Sequence, residues 1–223
     1  MKSRKHLRAR SILSLTVFEF EYSSSQLGKL RTLVRGLKWR KNGSNDTSAL
    51  MLNSLPQFAS LHVWFAECIE QVRRHLGLPF ERIVITQSWA NRSMEGQWHP
   101  RHCHPNSYLS GVFYLDASSQ SGFTEFIRSD PWFDFFLLEG EGDRGHELRH
   151  QVAPRPGVLL LFPSSMDHLV GCYTDSQPRF SIAFNAFPEG RISPTRRNLR
   201  FLEILVKPYS NHKLHSRPNT RMK

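Results

Sequence analysis

GLPFERIVITQSWAN, residues 77–91, is where the hydrophobic period of this chain changes. Upstream of it, Phe58, Leu61, Phe65, Ile69 and Val72 recur at three- and four-residue intervals, which places them on one face of a helix running from Pro56 to Leu76. Ser54 and Pro56 suit the start of that helix, and Gly77 and Pro79 its end. A shorter helical pattern spans Gln26 to Leu37. Downstream, apolar residues come instead in short runs between turn residues: RIVITQSWAN, SYLSGVFYLD, GFTEFI, GVLLLFPS, DHLVGCY and RFSIAFNAF. Helices followed by many short strands predict an α+β protein, with the helices packed on one outer face of a largely antiparallel sheet or barrel. After Pro188 the pattern fades except in NLRFLEILV, which suits a last helix or strand.

A length of 223 residues, without internal repeats or a Gly/Ser linker, predicts a single domain. Within it the texture divides into a basic segment with a first strand (1–20), a helical support region (21–80), a strand-rich core (81–188) and a basic extension (189–223). The formal charge of +11 is concentrated in ends such as MKSRKHLRAR and KLHSRPNTRMK. Solvated tails account for it better than a nucleic-acid groove, because no basic run is interleaved with regularly spaced aromatics. Nucleic acid stays open as a partner without being favoured. Cys68, Cys103 and Cys172 are odd in number and form no CxxC pair, so neither a disulfide framework nor a structural zinc site is suggested and a reducing compartment fits best. No apolar run has the length of a membrane span, so the expected location is the cytoplasm; the acid-poor start, with its Arg and Ser residues, also fits a transit peptide.

The densest chemistry lies in HPRHCHPNSYLSGVFYL, residues 99–115. On an extended chain His102 and His104 point to the same side, and Cys103 points away as a packed thiol. A chelating pair of that kind needs a third ligand from another strand, and His168 in LFPSSMDHLV is the best placed. His99 falls outside the pair, as a loop residue or one that supports the ligands from behind; His62, His75, His146, His150, His212 and His215 have the look of ordinary surface positions. In RFSIAFNAF, alternation puts Arg179, Ser181 and Ala183 on one face and Phe180, Ile182 and Phe184 on the other. An arginine facing a core needs an anion to offset its desolvation, and its fork fits a carboxylate; on an edge strand it would simply face water.

Taken together, SWANRSMEGQWHPRHCHPNSYLSGVFYL, PGVLLLFPSSMDHLV and RFSIAFNAF resemble the iron(II)- and 2-oxoglutarate-dependent oxygenases of the double-stranded β-helix (jelly-roll, cupin-like) fold. The likeness covers Ile83 to Phe187, about half of the chain. It implies His102, His104 and His168 as iron ligands, Arg179 as the clamp on the distal carboxylate of 2-oxoglutarate, and Ser181 as its assistant. Trp89, Asn91, Asn106, Ser110 and Tyr114 match family positions that line the cavity or bind the cosubstrate, with packing an equal reading for Trp89 and Tyr114. One position departs from the superfamily: His104 stands where the common facial triad has a carboxylate, for which Glu125, Asp116 or Asp167 would be substitutes.

The activity implied is a dioxygenase using Fe(II), 2-oxoglutarate and O2, hydroxylating a C–H bond of a small-molecule or peptidyl substrate with release of succinate and CO2. Trp132, Phe133 and Phe135 in SDPWFDFFLLEGEGD suit either a substrate lid or a strand-pair core. Two alternatives are a cupin-like three-histidine dioxygenase that binds its substrate without 2-oxoglutarate, and a basic, non-enzymatic nucleic-acid-binding module.

Overall fold

The apolar faces of two helices and the alternation of the strands beneath them decide how the layers stack. In the computed structural model, which describes residues 16–22, 24–118, 122–129, 147–192 and 202–206, the helices are α1 (Leu27–Arg35) and α2 (Ala59–His75). Helix α2 is entered through a 3-10 turn at Pro56–Phe58 and ends at Gly77, whose φ of 61° is the left-handed conformation that glycine adopts without strain. Its buried face carries Leu61, Phe65, Cys68, Ile69 and Val72, with Phe58 just ahead of it, as the helical spacing requires.

Those side chains lie on a sheet built from β1 (Phe18–Glu21), β2 (Trp39–Asn42), β3 (Asn45–Ser48), β4 (Arg82–Ser93), β6 (Leu109–Asp116), β9 (Val158–Pro163) and β11 (Arg179–Ile192). The strand order is β1-β9-β6-β11-β4-β3-β2, antiparallel throughout, and the short strand β12 (Leu202–Ile204) pairs with the end of β11. A second antiparallel sheet has the order β5-β10-β7-β8, from β5 (His99–His102), β7 (Thr124–Ser129), β8 (Glu147–Val152) and β10 (Asp167–Val170). Helices outside one sheet and a smaller sheet opposite it make the α+β, double-stranded β-helix architecture expected from the sequence.

The period-two alternation sorts side chains between two cores. Leu159 and Leu161 of β9, Phe113 and Leu115 of β6, and Phe180, Ile182 and Phe184 of β11 face the helices. Val158, Leu160 and Phe162 of β9, together with Tyr114, Phe126 and Met166, form a smaller core between the sheets. Where β6 crosses β11, only glycine fits at position 111, since a Cβ there would collide with the Phe184 ring.

One element, the β2–β3 hairpin, departs from the expected order of a first strand, then helices, then the remaining strands. Strand β1 precedes the helices and pairs with β9. The β2–β3 hairpin lies between them in sequence, closing at Gly43 (φ 62°) and Ser44, and extends the main sheet by pairing β3 with β4. Its sequence, WRKNGSNDTS, has no apolar alternation to announce a strand; the Asn-Gly pair at its turn is the signal that does. Trp132, Phe133 and Phe135 lie outside the described residues, so the lid reading concerns residues not described here. No helix among the described residues is long and apolar enough to cross a membrane.

Phe65 is fully buried and meets Trp64, Phe113 and Phe184 at ring-centroid separations of 5.6, 5.6 and 4.6 Å. Truncating it removes the main tie between α2 and the sheet. Phe65→Ala is expected to lower unfolding stability by about 3–5 kcal/mol, read from urea or guanidinium melts; a loss below about 1 kcal/mol would show that the helix layer contributes little to the core.

Candidate metal centre

Three histidines converge where the two sheets open. His102 ends β5 and stands directly opposite His168 on β10. His104 follows two residues later on a segment pinned by its own backbone N–H, which donates to the Ser164 carbonyl at 2.8 Å. Ring centroids are 4.2 Å apart for His102 and His168, 5.0 Å for His102 and His104, and 5.2 Å for His104 and His168. One ring nitrogen from each lies within 4.8 Å of the other two, so the group could hold a metal ion.

The hydrogen bonds around the rings favour that use. His102 Nδ1 lies 2.8 Å from the Pro100 carbonyl and His168 Nδ1 lies 2.9 Å from the Met166 carbonyl. A carbonyl only accepts, so in both rings Nδ1 carries the proton and Nε2 keeps its lone pair for a metal. Burial, then the nearby imidazoles, depress the pKa of His104 to about 4; for His168 burial is again the leading cause, and its pKa falls to about 3. His99, buried beside His102 and Arg179, is pushed down to about 4. These three rings are neutral at pH 7, the form that binds metal.

The rings open onto a cavity of about 260 Å3, whose far side holds Arg179 and Ser181. Both are buried, Arg179 to 3% exposure, while Phe180 and Ile182 point to the helices, so β11 alternates as its sequence dictates and Arg179 does not face water. The guanidinium sits 5.2 Å from the centre of the Tyr114 ring. Its Nε has no hydrogen-bond partner, and no carboxylate pairs with it among the described residues. Burial lowers its pKa, which the Tyr114 and Tyr173 hydroxyls only partly offset.

Of the remaining family positions, Trp89 and Asn91 line the cavity from β4. Tyr114 and Ser110 are buried next to it: Tyr114 Oη is 2.7 Å from Thr124 Oγ1, and Ser110 Oγ donates to Asn185 Oδ1 at 2.9 Å. Asn106 lies elsewhere, exposed in the turn before β6 with φ 58°, a conformation asparagine tolerates. The carboxylates considered as substitutes are engaged away from the rings. Asp116 pairs with Arg31 and Arg35, Asp167 with Arg101, and Glu125 with Arg149 and Gln151. Register explains Glu125: it lies opposite Leu169, whereas its neighbour Phe126 lies opposite His168.

Three positions differ from the sequence reading. Cys103 is exposed rather than packed, because the chain leaves β5 at His102 and the residue between two inward rings projects outward. His62 is half-buried in α2, donating from Nδ1 to the Phe58 carbonyl, and is no ordinary surface residue. His99 lines the cavity with its Nδ1 buried and unpaired. Sequence reasoning also missed Arg40, Asn42, Asn45 and Thr47, which the β2–β3 hairpin brings to the same cavity, and Thr124 of β7.

Residues 87–185, which include His99, His102, His104, His168 and Arg179, match the family described as "Putative 2OG-Fe(II) oxygenase". The match spans 99 of the chain's 223 residues. The fold is shared with HygX from Streptomyces hygroscopicus, solved with nickel, 2-oxoglutarate and hygromycin B (TM-score 0.61, 15% identity, 78% of this chain and 83% of that one). It is shared too with a Pseudomonas putida prolyl-4-hydroxylase (TM-score 0.56, 15% identity, 79% and 95%) and with a 2OG-Fe(II) oxygenase family oxidoreductase from Burkholderia pseudomallei (TM-score 0.57, 14% identity, 76% and 83%). No curated protein sequence matches the chain.

The depressed histidines make the metal-free form of the protein acid-sensitive. An unfolded chain takes up protons on these rings near pH 6.5, while the folded one refuses them until about pH 4 for His99 and His104 and about pH 3 for His168. The unfolded state therefore binds more protons in that window, and stability falls as pH drops through it. Urea melts of the metal-free protein at pH 7, 5.5 and 4.5 are expected to show a falling midpoint, with a shallower decline in His99→Gln. A midpoint independent of pH would mean that these rings are solvated.

Proposed function

We propose that the protein is an iron(II)- and 2-oxoglutarate-dependent oxygenase that hydroxylates a C–H bond of a small-molecule or peptidyl substrate. His102, His104 and His168 hold the iron, and Arg179 with Ser181 holds the distal carboxylate of 2-oxoglutarate. The observation that carries this reading is the buried Arg179, a cation without a carboxylate partner among the described residues, on the same cavity wall as Ser181 and across from three converging imidazoles. A buried guanidinium left unpaired is strongly unfavourable, and a carboxylate fitting its fork removes that penalty through charge-assisted hydrogen bonds.

When bound, iron and 2-oxoglutarate supply the oxidation by dioxygen, and the cosubstrate leaves as succinate and CO2. The chain supplies position and surroundings. The carbonyls of Pro100 and Met166 hold the His102 and His168 rings by Nδ1, aiming Nε2 at one point. Val112, Phe162, Ala183 and Trp89 give the cavity an apolar wall that limits water around the reacting centre. Tyr114 packs under Arg179 and is itself fixed by Thr124, so the guanidinium keeps one orientation.

The test is anaerobic addition of iron(II) with and without 2-oxoglutarate, followed by air and measurement of succinate. The wild type is expected to give a weak visible charge-transfer band only with both components, and then succinate. Arg179→Ala should bind iron normally but weaken 2-oxoglutarate at least 100-fold, the order expected for removing a buried charge-assisted pair. A three-histidine dioxygenase that does not use 2-oxoglutarate predicts oxygen chemistry that survives Arg179→Ala. A nucleic-acid-binding module predicts salt-sensitive binding that survives chelation of the metal. No band and no succinate from the wild type would refute the proposal.

A further inference from the structure

The oxygenase reading leaves part of the cavity unexplained. Arg179 and the histidines account for its β5, β10 and β11 sides, whereas the main-sheet wall continues beyond β11 into β4 and the β2–β3 hairpin. That wall is polar in register. Arg40 pairs with Thr47, Thr47 with Asn91, and Asn91 with Ser181, a row running across four strands from the rim to the cosubstrate side. At a strand spacing of about 4.8 Å the row spans about 14 Å. A second row begins with Asn42 opposite Asn45.

Two features of this wall call for a ligand. Asn45 is 5% exposed, lines the cavity, and has an Oδ1 with no hydrogen-bond partner, so it needs a donor from something bound there. Arg40 has no acid of its own: Asp46, the only acid in the hairpin, lies on the other face, taken by Lys41 at 3.0 Å and Arg92 at 2.7 Å. Among the described residues, the lining holds two arginines and four histidines and no carboxylate at all. Arg179 is matched by the cosubstrate's distal carboxylate. Arg40, at the other end, is exposed at the rim of that cavity and has no acid partner among the described residues.

Resting on the oxygenase reading, we infer that the primary substrate is a small polar molecule carrying an oxyanion, bound by Arg40 at the rim, and an N–H or O–H donor, bound by Asn45, with its body laid along Thr47 and Asn91 toward the metal. The hairpin is the specificity element, which explains why a strand pair without apolar alternation is added to the sheet edge. Its tip is braced by Ser44 Oγ, which donates to the Trp98 carbonyl at 2.6 Å and ties this wall to the chain entering β5.

The test uses N-acetyl-L-alanine, its carboxamide and inorganic phosphate as probes, titrated into zinc-substituted protein with and without 2-oxoglutarate, and read by residue-resolved NMR. With Arg179 occupied by 2-oxoglutarate, the carboxylate probe should shift signals of Arg40, Asn45 and Asn91 and bind at least roughly tenfold tighter than its carboxamide, the range for hydrogen bonds to charged groups. Arg40→Gln should reduce the acid to the affinity of the amide, while Arg155→Gln, at an exposed arginine outside the cavity, should leave the preference intact. Phosphate binding at Arg40 in place of the carboxylate supports the oxyanion site and identifies its source as a phosphorylated substrate. Equal binding of acid and amide with no phosphate binding at Arg40, or an acid preference that survives Arg40→Gln, overturns the inference. Failure of 2-oxoglutarate to bind the wild type, with the Arg40-dependent preference intact, overturns the oxygenase reading and leaves this one standing.

Discussion

The alternation of β11 is the constraint on which both cores and the candidate site depend. Phe180, Ile182 and Phe184 must face the helices to complete the larger core, and the pleat then leaves Arg179, Ser181 and Ala183 nowhere to go but between the sheets. Apolar burial on one face thus forces a cation into a confined cavity on the other. The same strand sits at the centre of the main sheet, paired to β6 and to β4, so its register fixes where Tyr114 lies under the guanidinium and where Asn91 lies beside Ser181. A slip of one residue would exchange the two faces and lose the core and the site together.

Much of this was legible in the sequence because it rests on periodicity. The helical face from Phe58 to Val72, the strand runs from Arg82 onward and the two-residue spacing of His102 and His104 all follow from local geometry. His168 was legible as a partner only through its place at the end of an apolar strand, and its pairing with His102 is a matter of sheet register. The hairpin was not legible in that way. Its residues alternate between an ion-pair network in which the buried Asp46 meets the exposed Lys41 and Arg92 of β4, and a polar cavity wall, so neither face is apolar and no hydrophobic period appears. His99 escaped for a related reason: it is brought to the cavity by pairing of β5 with β10, not by any spacing within its own segment.

The missing carboxylate is best understood from the second sheet. Glu125 is near in sequence to the cavity residue Thr124 and is well buried, but Arg149 and Gln151 of β8 hold it on the outer face, opposite Leu169. The strand that could have delivered an acid delivers Phe126 to the inter-sheet core instead. His104 then completes the only converging group of three potential metal-ligand side chains, all imidazoles, found among the described residues.

That substitution changes the charge of the whole cavity under the proposed reading. Two histidines and a carboxylate around a divalent iron, with Arg179 and a dianionic cosubstrate, sum to zero; three neutral histidines in the same place leave one positive charge. Arg40 at the rim adds a second. Between low-dielectric walls the surplus at the metal is poorly screened, whereas Arg40, exposed at the rim, is screened by solvent; the surplus at the metal favours a substrate that brings negative charge with it. The replacement of an acid by His104 at the metal and the acid-free hairpin wall are therefore consistent parts of one electrostatic arrangement. An anionic substrate is the ligand that neutralises it.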